Sequence, residues 1–322
     1  AGGARVNEIL ILGAAIGDVL VSPAISEMLE RASSPARIRV STGGDALNES
    51  TVLARLGHSP ALGTVLGADD MGHMIEAHCA REGVRLIARV NPEIDTGVNV
   101  VLVRKDGERR FVTNPSGSLR RLSLRDAMAM MDSDAFESAK ICCLASMFVS
   151  PELSAGDMEA VFKRARAAGK LVCADSTKPK NGETIRDVAG ALANLDFFFP
   201  NSEEARLLAN AETDEEAAKR FVDAGVKNAV IKRGRAGCLI ANDAGRIAVP
   251  AYETHCMDTT GAGDTFAAAF QAAILEGRAL AECGAFACAA ASICVENLGA
   301  TEAKLDRGEI ERRAGQILNR AE

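Results

Sequence analysis

The chain has 322 residues, 48% hydrophobic and 25% charged, which is ordinary for a globular protein and long enough for one large α/β domain or two smaller ones. Its net charge of −7, without any Lys/Arg cluster, argues against a nucleic-acid-binding protein. No apolar run approaches the length of a membrane span and no signal peptide precedes Arg5, so we expect neither a membrane protein nor a secreted one.

The first half of the chain predicts two kinds of β structure. Residues 8–13 form a continuous apolar run that ends in glycine, which is typical of a strand buried on both faces. Residues 97–103 and 110–113 are β-like and flank an Asp-Gly turn at 105–108, a strong hairpin signal. Together with residues 37–41, they predict a small second sheet.

The second half alternates strands with helices. We predict strands at 140–144, 171–174, 195–199 and 229–232, and helices at 155–168, 201–208 and 215–224, with nearly all helix from Thr265 onward. This alternation implies parallel pairing, and therefore an α/β fold with an open, doubly wound, mostly parallel sheet flanked by helices. Ligands of such sheets bind at the carboxyl ends of the strands, where Asn201 and Lys232 lie.

The nine cysteines predict free thiols rather than disulfides. Most of them lie in apolar or alanine-rich runs, where cysteine behaves as a small hydrophobe. No Cys-x-x-Cys pair occurs, and the four histidines form no metal-spaced cluster with the cysteines. We therefore expect a reduced, cytoplasmic environment.

The most informative segment is Asp-Thr-Thr-Gly-Ala-Gly-Asp-Thr-Phe at residues 258–266. Gly261, Ala262 and Gly263 precede Asp264 at the start of a small-residue helix, where unpaired N–H groups and the helix dipole attract an anion. A carboxylate beside a bound phosphate can take a proton from an attacking hydroxyl group, as phosphoryl transfer requires. The alternative is an acid favoured by the helix dipole, with glycines that only allow tight packing.

This nonapeptide closely resembles the C-terminal signature of the ribokinase-like carbohydrate kinases, also called the phosphofructokinase-B family. Further segments resemble other motifs of that family, in the family's order, over about residues 9–300: Gly43-Gly44-Asp45-Ala46-Leu47-Asn48, Gly67 to Gly72, Asn201 to Glu204, and Gly234 to Gly237. The resemblance implies an ATP-dependent kinase that transfers the γ-phosphoryl group to a hydroxyl of a sugar or sugar-like molecule. It also implies a single domain over 1–322, with a small β lid at about 36–44 and 95–116.

On the phosphate side, both the chemistry and the resemblance make Asp264 the general base. The amides of Ala262, Gly263 and Asp264 would hold the transferring phosphoryl group. Asn201 and Glu204 share a helix face and would hold Mg²⁺ through water, although an N-cap with a nearby acid would look the same. Lys232 and the loop from Gly234 to Gly237 would contact the nucleotide, or would form a simple hairpin turn.

On the acceptor side, the resemblance places a sugar-binding carboxylate at Asp18, which can accept two hydroxyl hydrogen bonds. Gly43 and Gly44 would let the backbone approach the same sugar, and Asn48 would supply an amide. The alternatives are an exposed loop acid at Asp18 and a plain helix start with a solvated Asn48. The resemblance also implies a monovalent cation, K⁺, near Asp258 and Thr260, enclosed by backbone around Cys294, Asn297 and Gly299.

Two departures from the family pattern bear on the substrate. Asp45 stands where ribokinase has a basic residue, and Ser146-Met147 stands where ribokinase has a sugar-binding carboxylate, so we do not expect ribose. Basic residues around the lid turn would bind a phosphate on a sugar phosphate, or would simply be solvated: Arg104, Lys105, Arg109 and Arg110.

Three alternative functions are considered. A nucleoside kinase of the same fold shares every motif above, and a silent sugar- or nucleotide-binding regulator would not need the base at Asp264. A nicotinamide-dependent oxidoreductase lacks support, because no Gly-x-Gly-x-x-Gly follows the first strand. We therefore expect a small-molecule sugar or nucleoside as the partner, no nucleic acid or membrane, and a homodimer that forms through the lid.

Overall fold

A computed structural model describes residues 6–25, 28, 31–104 and 109–320. Its strands are β1 (Ile9–Leu12), β2 (Ile16–Ser22), β3 (Arg37–Gly43), β4 (Pro60–Gly67), β5 (Arg85–Asn91), β6 (Val98–Val103), β7 (Arg109–Thr113), β8 (Ile141–Met147), β9 (Leu171–Ser176), β10 (Phe197–Phe199), β11 (Asn228–Lys232), β12 (Cys238–Asn242) and β13 (Gly245–Val249). Its helices are α1 (Asp45–Arg55), α2 (Asp70–Glu82), α3 (Leu124–Met130), α4 (Asp134–Ser138), α5 (Ala155–Ala167), α6 (Ala189–Leu192), α7 (Ser202–Ala209), α8 (Asp214–Asp223), α9 (Ala262–Leu275), α10 (Leu280–Cys294) and α11 (Arg307–Leu318).

The main sheet has nine strands in the order β13-β12-β11-β10-β9-β8-β1-β4-β5. The seven strands from β11 to β5 are parallel, and β12 and β13 extend the sheet as an antiparallel edge. The sheet is therefore open and mostly parallel, as predicted. The carboxyl ends of its parallel strands lie along one edge, where a ligand site is expected.

Helices cover both faces of this sheet. Side chains of β1 alternate between the two cores: Ile9 and Ile11 pack with α1, α2, α9, α10 and α11, whereas Leu10 and Leu12 pack with α3 to α8. Because both faces of β1 are buried, its sequence is a continuous apolar run rather than an alternating one.

A separate sheet of four strands, in the order β3-β2-β6-β7, forms the lid. β2 pairs antiparallel with β3 and parallel with β6, and β6 pairs antiparallel with β7. The sequence predicted β3, β6 and β7 but not β2, so Asp18 lies within a lid strand and not in a loop after the first strand. The predicted turn at 105–108 lies outside the described residues.

The predicted elements of the second half are all present, with bounds within three residues of those expected. The region after Thr265 is mostly helical as predicted, with a short connection at residues 276–279, a longer loop at 295–306 and a final turn at 319–320. The sequence did not predict β4, β5, β12 and β13. All nine cysteines are free, as expected.

Within the described ranges, no helix combines the length and the apolar character that crossing a lipid bilayer would require.

Candidate active site

Two cavities meet at the carboxyl ends of the parallel strands. The first, of about 890 Å³, extends from Asn201 and Lys232 to the first turn of α9, and we call it the donor cavity. The second, of about 550 Å³, lies between the lid and the main domain and contains Asp18 and Asn48, and we call it the acceptor cavity. Asp45 and Asp264 line both cavities. A group held in one cavity can therefore reach a group held in the other beside these two carboxylates.

The first turn of α9 has the geometry expected of an anion site. Gly261 is the N-cap residue and adopts φ 74°, and a Cβ there would lie 2.6 Å from Ala300. The amide of Ala262 donates to the carbonyl of Thr259, so the predicted use of this amide is not available in this conformation. The first-turn amides of Gly263 and Asp264 are those best placed to hold an anion.

Asp264 is the carboxylate at this helix start. Its Oδ2 accepts a hydrogen bond from Asn48 Nδ2 at 2.7 Å, which joins α9 to α1. Burial raises the pKa of Asp264 to about 6, against the hydrogen bond from Asn48, which favours the ionised form. A carboxylate with this pKa is a better proton acceptor than an ordinary aspartate and is still ionised at neutral pH. The predicted general base therefore lies at the junction of the cavities.

The donor cavity contains a buried ion pair. Lys232, the last residue of β11, places its Nζ 2.7 and 2.6 Å from the two carboxylate oxygens of Asp175 on β9. Burial favours the neutral amine, but Asp175 and Glu204 outweigh this effect and hold the pKa of Lys232 above its ordinary value. A Cβ at Gly263 would lie 3.4 Å from Lys232 Nζ, so this cation faces the start of α9. Asp175 was missed in the sequence, although an acid that ends an apolar strand is a detectable signal.

Asn201 and Glu204 form a capping box at the start of α7. Asn201 Oδ1 accepts from the amide of Glu204 at 3.0 Å, and Glu204 Oε2 accepts from the amide of Asn201 at 2.8 Å. The capping alternative is therefore realised, while both side chains also line the donor cavity. Burial raises the pKa of Glu204 to about 7, despite the opposing charge of Lys232.

Gly234 and Gly237 lie in the hairpin turn that joins β11 to β12, and both line the donor cavity. The turn is thus both a simple hairpin and part of the cavity wall. Gly237 adopts φ 84°, and a Cβ there would lie 2.0 Å from the carbonyl oxygen of Val249. Only glycine fits at this position. Arg235, which the sequence analysis did not single out, also lines this cavity.

The acceptor cavity brings the predicted sugar-binding residues together. Asp18 on β2 faces Gly43 on β3 so closely that a Cβ at Gly43 would lie 2.0 Å from Asp18 Oδ2. Burial raises the pKa of Asp18 to about 6, and a hydrogen bond with the side chain of Asn99 opposes this shift. Gly44 adopts φ 96° and lies against the backbone of Ala14, where a Cβ would meet the carbonyl oxygen at 2.6 Å. The backbone contact and the positive φ require glycine at position 44, whereas a side chain at position 43 would displace the Asp18 carboxylate.

The walls of the acceptor cavity also contain Asn48 and Asp45. Asn48 is 5% exposed, and its Oδ1 has no hydrogen-bond partner among the described residues. A ligand hydroxyl would satisfy this oxygen. Asp45 accepts a hydrogen bond from the hydroxyl of Ser146. Burial and the neighbouring charge of Asp264 raise the pKa of Asp45 well above its ordinary value.

Asp258 and Thr260 tie two loops together beside α9. Asp258 Oδ1 accepts from the amide of Thr260 at 2.9 Å and from its hydroxyl at 2.8 Å, and Oδ2 accepts from the amide of Gly299 at 2.9 Å. The Cys294 thiol contacts the carbonyl oxygens of Thr260 at 3.6 Å and Ala300 at 3.8 Å. Carbonyl and carboxylate oxygens thus lie in the loops where the resemblance implied a monovalent cation.

Comparisons with known proteins identify a family and similar chains. The family profile of the pfkB family carbohydrate kinases matches residues 7–307. A sugar kinase from Archaeoglobus fulgidus, described as uncharacterized, is 29% identical over 252 residues, which are 78% of this chain and 96% of that protein. A ribokinase from Haemophilus influenzae is 29% identical over 269 residues, or 81% and 83% of the two chains. A solved ribokinase from Arabidopsis thaliana, complexed with ribose and ATP, is 25% identical with a TM-score of 0.77, over 96% of this chain and 99% of that one.

The family match covers nearly the whole chain and confirms the resemblance inferred from the motifs. The structural match confirms the ribokinase-like fold, with its mostly parallel sheet and small second sheet. This chain therefore belongs to the pfkB family of carbohydrate kinases and is a sugar kinase, a phosphotransferase with an alcohol group as its acceptor.

Proposed function

We propose that this protein transfers the γ-phosphoryl group of ATP to a hydroxyl group of a sugar or sugar-like small molecule. The observation that carries the proposal is the position of Asp264, at the start of α9 and on the shared wall of the donor and acceptor cavities. The donor cavity supplies a cation and helix amides, and the acceptor cavity supplies carboxylate and amide groups that match hydroxyls.

In this proposal, Asp264 accepts the proton of the acceptor hydroxyl while that oxygen bonds to the γ-phosphorus. The bond from the γ-phosphorus to the bridging oxygen breaks, and ADP leaves. Asn48 holds one carboxylate oxygen of Asp264 in place. The amides of Gly263 and Asp264, together with Lys232, stabilise the charge on the transferring group. Asp175 orients Lys232 by accepting from its ammonium group.

The donor cavity also fits a magnesium ion that is held mainly by the nucleotide. Asp175, Glu204 and Asp264 supply oxygen atoms, which Mg²⁺ prefers, but within the described ranges no three acidic, histidine or cysteine side chains form a metal site on their own. Glu204 would then contact the ion through water. Mg²⁺ would supply neutralisation of the phosphate charge. Asp258 and the Thr260 carbonyl would hold K⁺ beside the start of α9.

The lining of the acceptor cavity favours a sugar over a nucleoside. Phe111 is the one aromatic side chain among the described residues that line it, and Phe111 is 62% exposed. Base recognition usually relies on aromatic stacking, whereas Asp18 and Asn48 match hydroxyl groups. The nucleoside kinase remains the alternative that the test must exclude.

We also propose that one domain spans the chain, in the cytoplasm, and that two copies associate through the lid. The outer face of the lid carries aliphatic side chains that are exposed in the single chain: Ile38 is 66%, Val40 50% and Val112 57% exposed. Its edge strands, β3 and β7, have backbone groups that a second copy could cover. Light scattering at micromolar concentration should give a dimer mass, and Val112→Asp should reduce it. A monomer mass for the wild-type protein would contradict this proposal.

The proposed reaction is tested by coupling ADP formation to a spectroscopic assay. The panel contains pentoses, hexoses, their acids and phosphates, and nucleosides, each with ATP and Mg²⁺. We expect at least one sugar-type acceptor to be used faster than every nucleoside. If a nucleoside is phosphorylated faster than every sugar-type acceptor, the nucleoside kinase replaces the proposed function.

A further inference from the structure

Resting on the proposed function, we propose that the acceptor carries an anionic group, a carboxylate or a phosphate, at the end remote from the reacting hydroxyl. Arg37, Arg120 and Lys180 would bind this group at the mouth of the acceptor cavity. The inference follows from which side chains of the lid and of the neighbouring loops line the cavity.

The inner face of the lid is defined by strand alternation. On β3, Arg37, Arg39 and Ser41 line the acceptor cavity, whereas Ile38 and Val40 lie on the opposite face. On β7, Phe111 lines the cavity, so Arg110 points to the outer face together with Val112. Apart from Arg110, the residues named on the outer face are aliphatic. Solvation of the lid alone therefore does not explain why arginines lie on the inner face of β3.

Cations from three separate elements line this cavity. Arg37 comes from β3, Arg120 from the 3₁₀ turn at 118–120, and Lys180 from the segment after β9. All three side chains belong to exposed residues. Within the described part of the chain, none of the three forms an ion pair with a carboxylate. Three cations that line one cavity without a carboxylate partner favour the binding of an anion from elsewhere.

Arg39 serves as the internal comparison. It also lines the acceptor cavity, but it forms an ion pair with Glu302. That contact connects the lid to the loop after α10, so Arg39 has a structural partner. No described residue of that loop forms an ion pair with Arg37, which lies two residues before Arg39 on the same strand.

The distances along the lid fit a small acid or phosphate. Asp18 is paired with Ser41 and Ser22 with Arg37, so Arg37 lies four residues, or about 13 Å, beyond the level of Asp18. The side chain of Arg37 can extend back towards Asp18 over about half of that distance. The remaining gap between its guanidinium group and the level of Asp18 is close to the length of a six-carbon chain. Leu20 and Val101 line the wall between the two levels and suit the C–H faces of a sugar.

The acceptor panel provides the first test. Gluconate is compared with glucose, and fructose 1-phosphate and fructose 6-phosphate with fructose, at low ionic strength. We expect kcat/KM for the best anionic acceptor to exceed that of the best neutral sugar at least tenfold. Preference for gluconate would identify a carboxylate, and preference for a phosphate ester would identify a phosphate. A neutral sugar used best would overturn this inference but leave the proposed function intact.

Variants test the residues. Arg37→Ala, Arg120→Ala and Lys180→Ala should each raise KM for the anionic acceptor about 10- to 100-fold, because each would lose a charged hydrogen bond. KM for ATP and kcat/KM for a neutral sugar should remain within about twofold of the wild-type values. Arg186→Ala is the control, because Arg186 is exposed and lines neither cavity.

Unchanged KM for the anionic acceptor in all three variants would overturn the assignment of these residues. If only nucleosides are phosphorylated, or if no compound of the panel is, then the proposed function fails and this inference fails with it. If the anionic and neutral sugars are used equally, only this inference fails.

Discussion

The donor and acceptor cavities share two carboxylates but are built differently. The donor cavity is formed by the ends of the main sheet and by helix starts, and its central ion pair is nearly buried, with side-chain exposures of 13% for Lys232 and 4% for Asp175. The acceptor cavity is half formed by the lid, where Phe111 is 62% exposed. The groups proposed for phosphoryl transfer thus lie on the main sheet and its flanking helices. Of the groups proposed to bind the acceptor, Asp18 and Arg37 lie on the second sheet, whereas Asn48, Arg120 and Lys180 lie outside it.

The largest effect is expected where the two cavities meet. Asp264→Asn should lower kcat about 10²- to 10⁴-fold, because the amide cannot accept the proton of the acceptor hydroxyl. Binding of ATP, measured by calorimetry, should change little. Asp70→Asn is the matched control, because Asp70 occupies the first turn of α2 and lines neither cavity. Turnover within a few fold of wild type would remove Asp264 from its role.

A change at Asp18 should affect the acceptor cavity alone. Asp18→Ala should lower kcat/KM for the acceptor about 10²- to 10⁴-fold, because two charged hydrogen bonds of about 1.5–3 kcal/mol each are lost. KM for ATP should barely move. Steady-state kinetics with each substrate varied in turn would show this difference. An equal effect on both substrates would show that the two cavities are not separable in function.

A change at Lys232 should affect the donor cavity and also its stability. Lys232→Met should lower kcat/KM for ATP about 10- to 100-fold, because one cation facing the phosphates is lost. It should also lower the free energy of unfolding by about 3–5 kcal/mol, because Asp175 is left buried without its partner.

The double variant Lys232→Met/Asp175→Asn separates these two effects. Most of the stability should return, while kcat/KM for ATP should stay low. Lys219→Met is the control, because Lys219 pairs with Asp223 on the surface of α8. Urea unfolding that shows no recovery in the double variant would contradict the role of the pair.

The smallest effect is expected from pH, and it involves both cavities. Burial raises the pKa values of Asp264 and Asp18 to about 6, so each carboxylate is protonated, and inactive in its proposed role, below that pH. kcat/KM for the acceptor should fall about tenfold between pH 7 and pH 5 for each carboxylate that must be ionised, because the ionised fraction of each group falls from about nine-tenths to about one-tenth. Asp18→Asn should make the fall in kcat/KM at low pH less steep, because one titrating carboxylate then remains instead of two. A flat profile down to pH 5 would contradict the raised pKa values.

The sequence predicted the donor side better than the acceptor side for a physical reason. The anion site depends on consecutive residues, from Gly261 to Asp264, because one helix start supplies both amides and carboxylate. The capping pair Asn201 and Glu204 is equally local. Such groups leave a short motif, and most of the parallel sheet likewise follows from continuous apolar runs.

The acceptor side depends on pairings that no local pattern contains. Asp18 lies on β2, whose Gly17 and Asp18 interrupt the apolar run, so the strand was not predicted. Arg37, Arg120 and Lys180 line one cavity only because the lid packs against the main domain. In the donor cavity, the pairing of Asp175 with Lys232, 57 residues away, is likewise contained in no local pattern, although the acid itself ends an apolar strand.

The contact between Gly43 and Asp18 constrains how such an enzyme can diverge. The Asp18 carboxylate occupies the space that any side chain at position 43 would need. A methyl group there would force the Asp18 carboxylate to leave this position, so the two positions are expected to change together. In a lineage that retains the glycine, the Asp18 carboxylate keeps its space, and other side chains around the acceptor cavity can change without disturbing this contact.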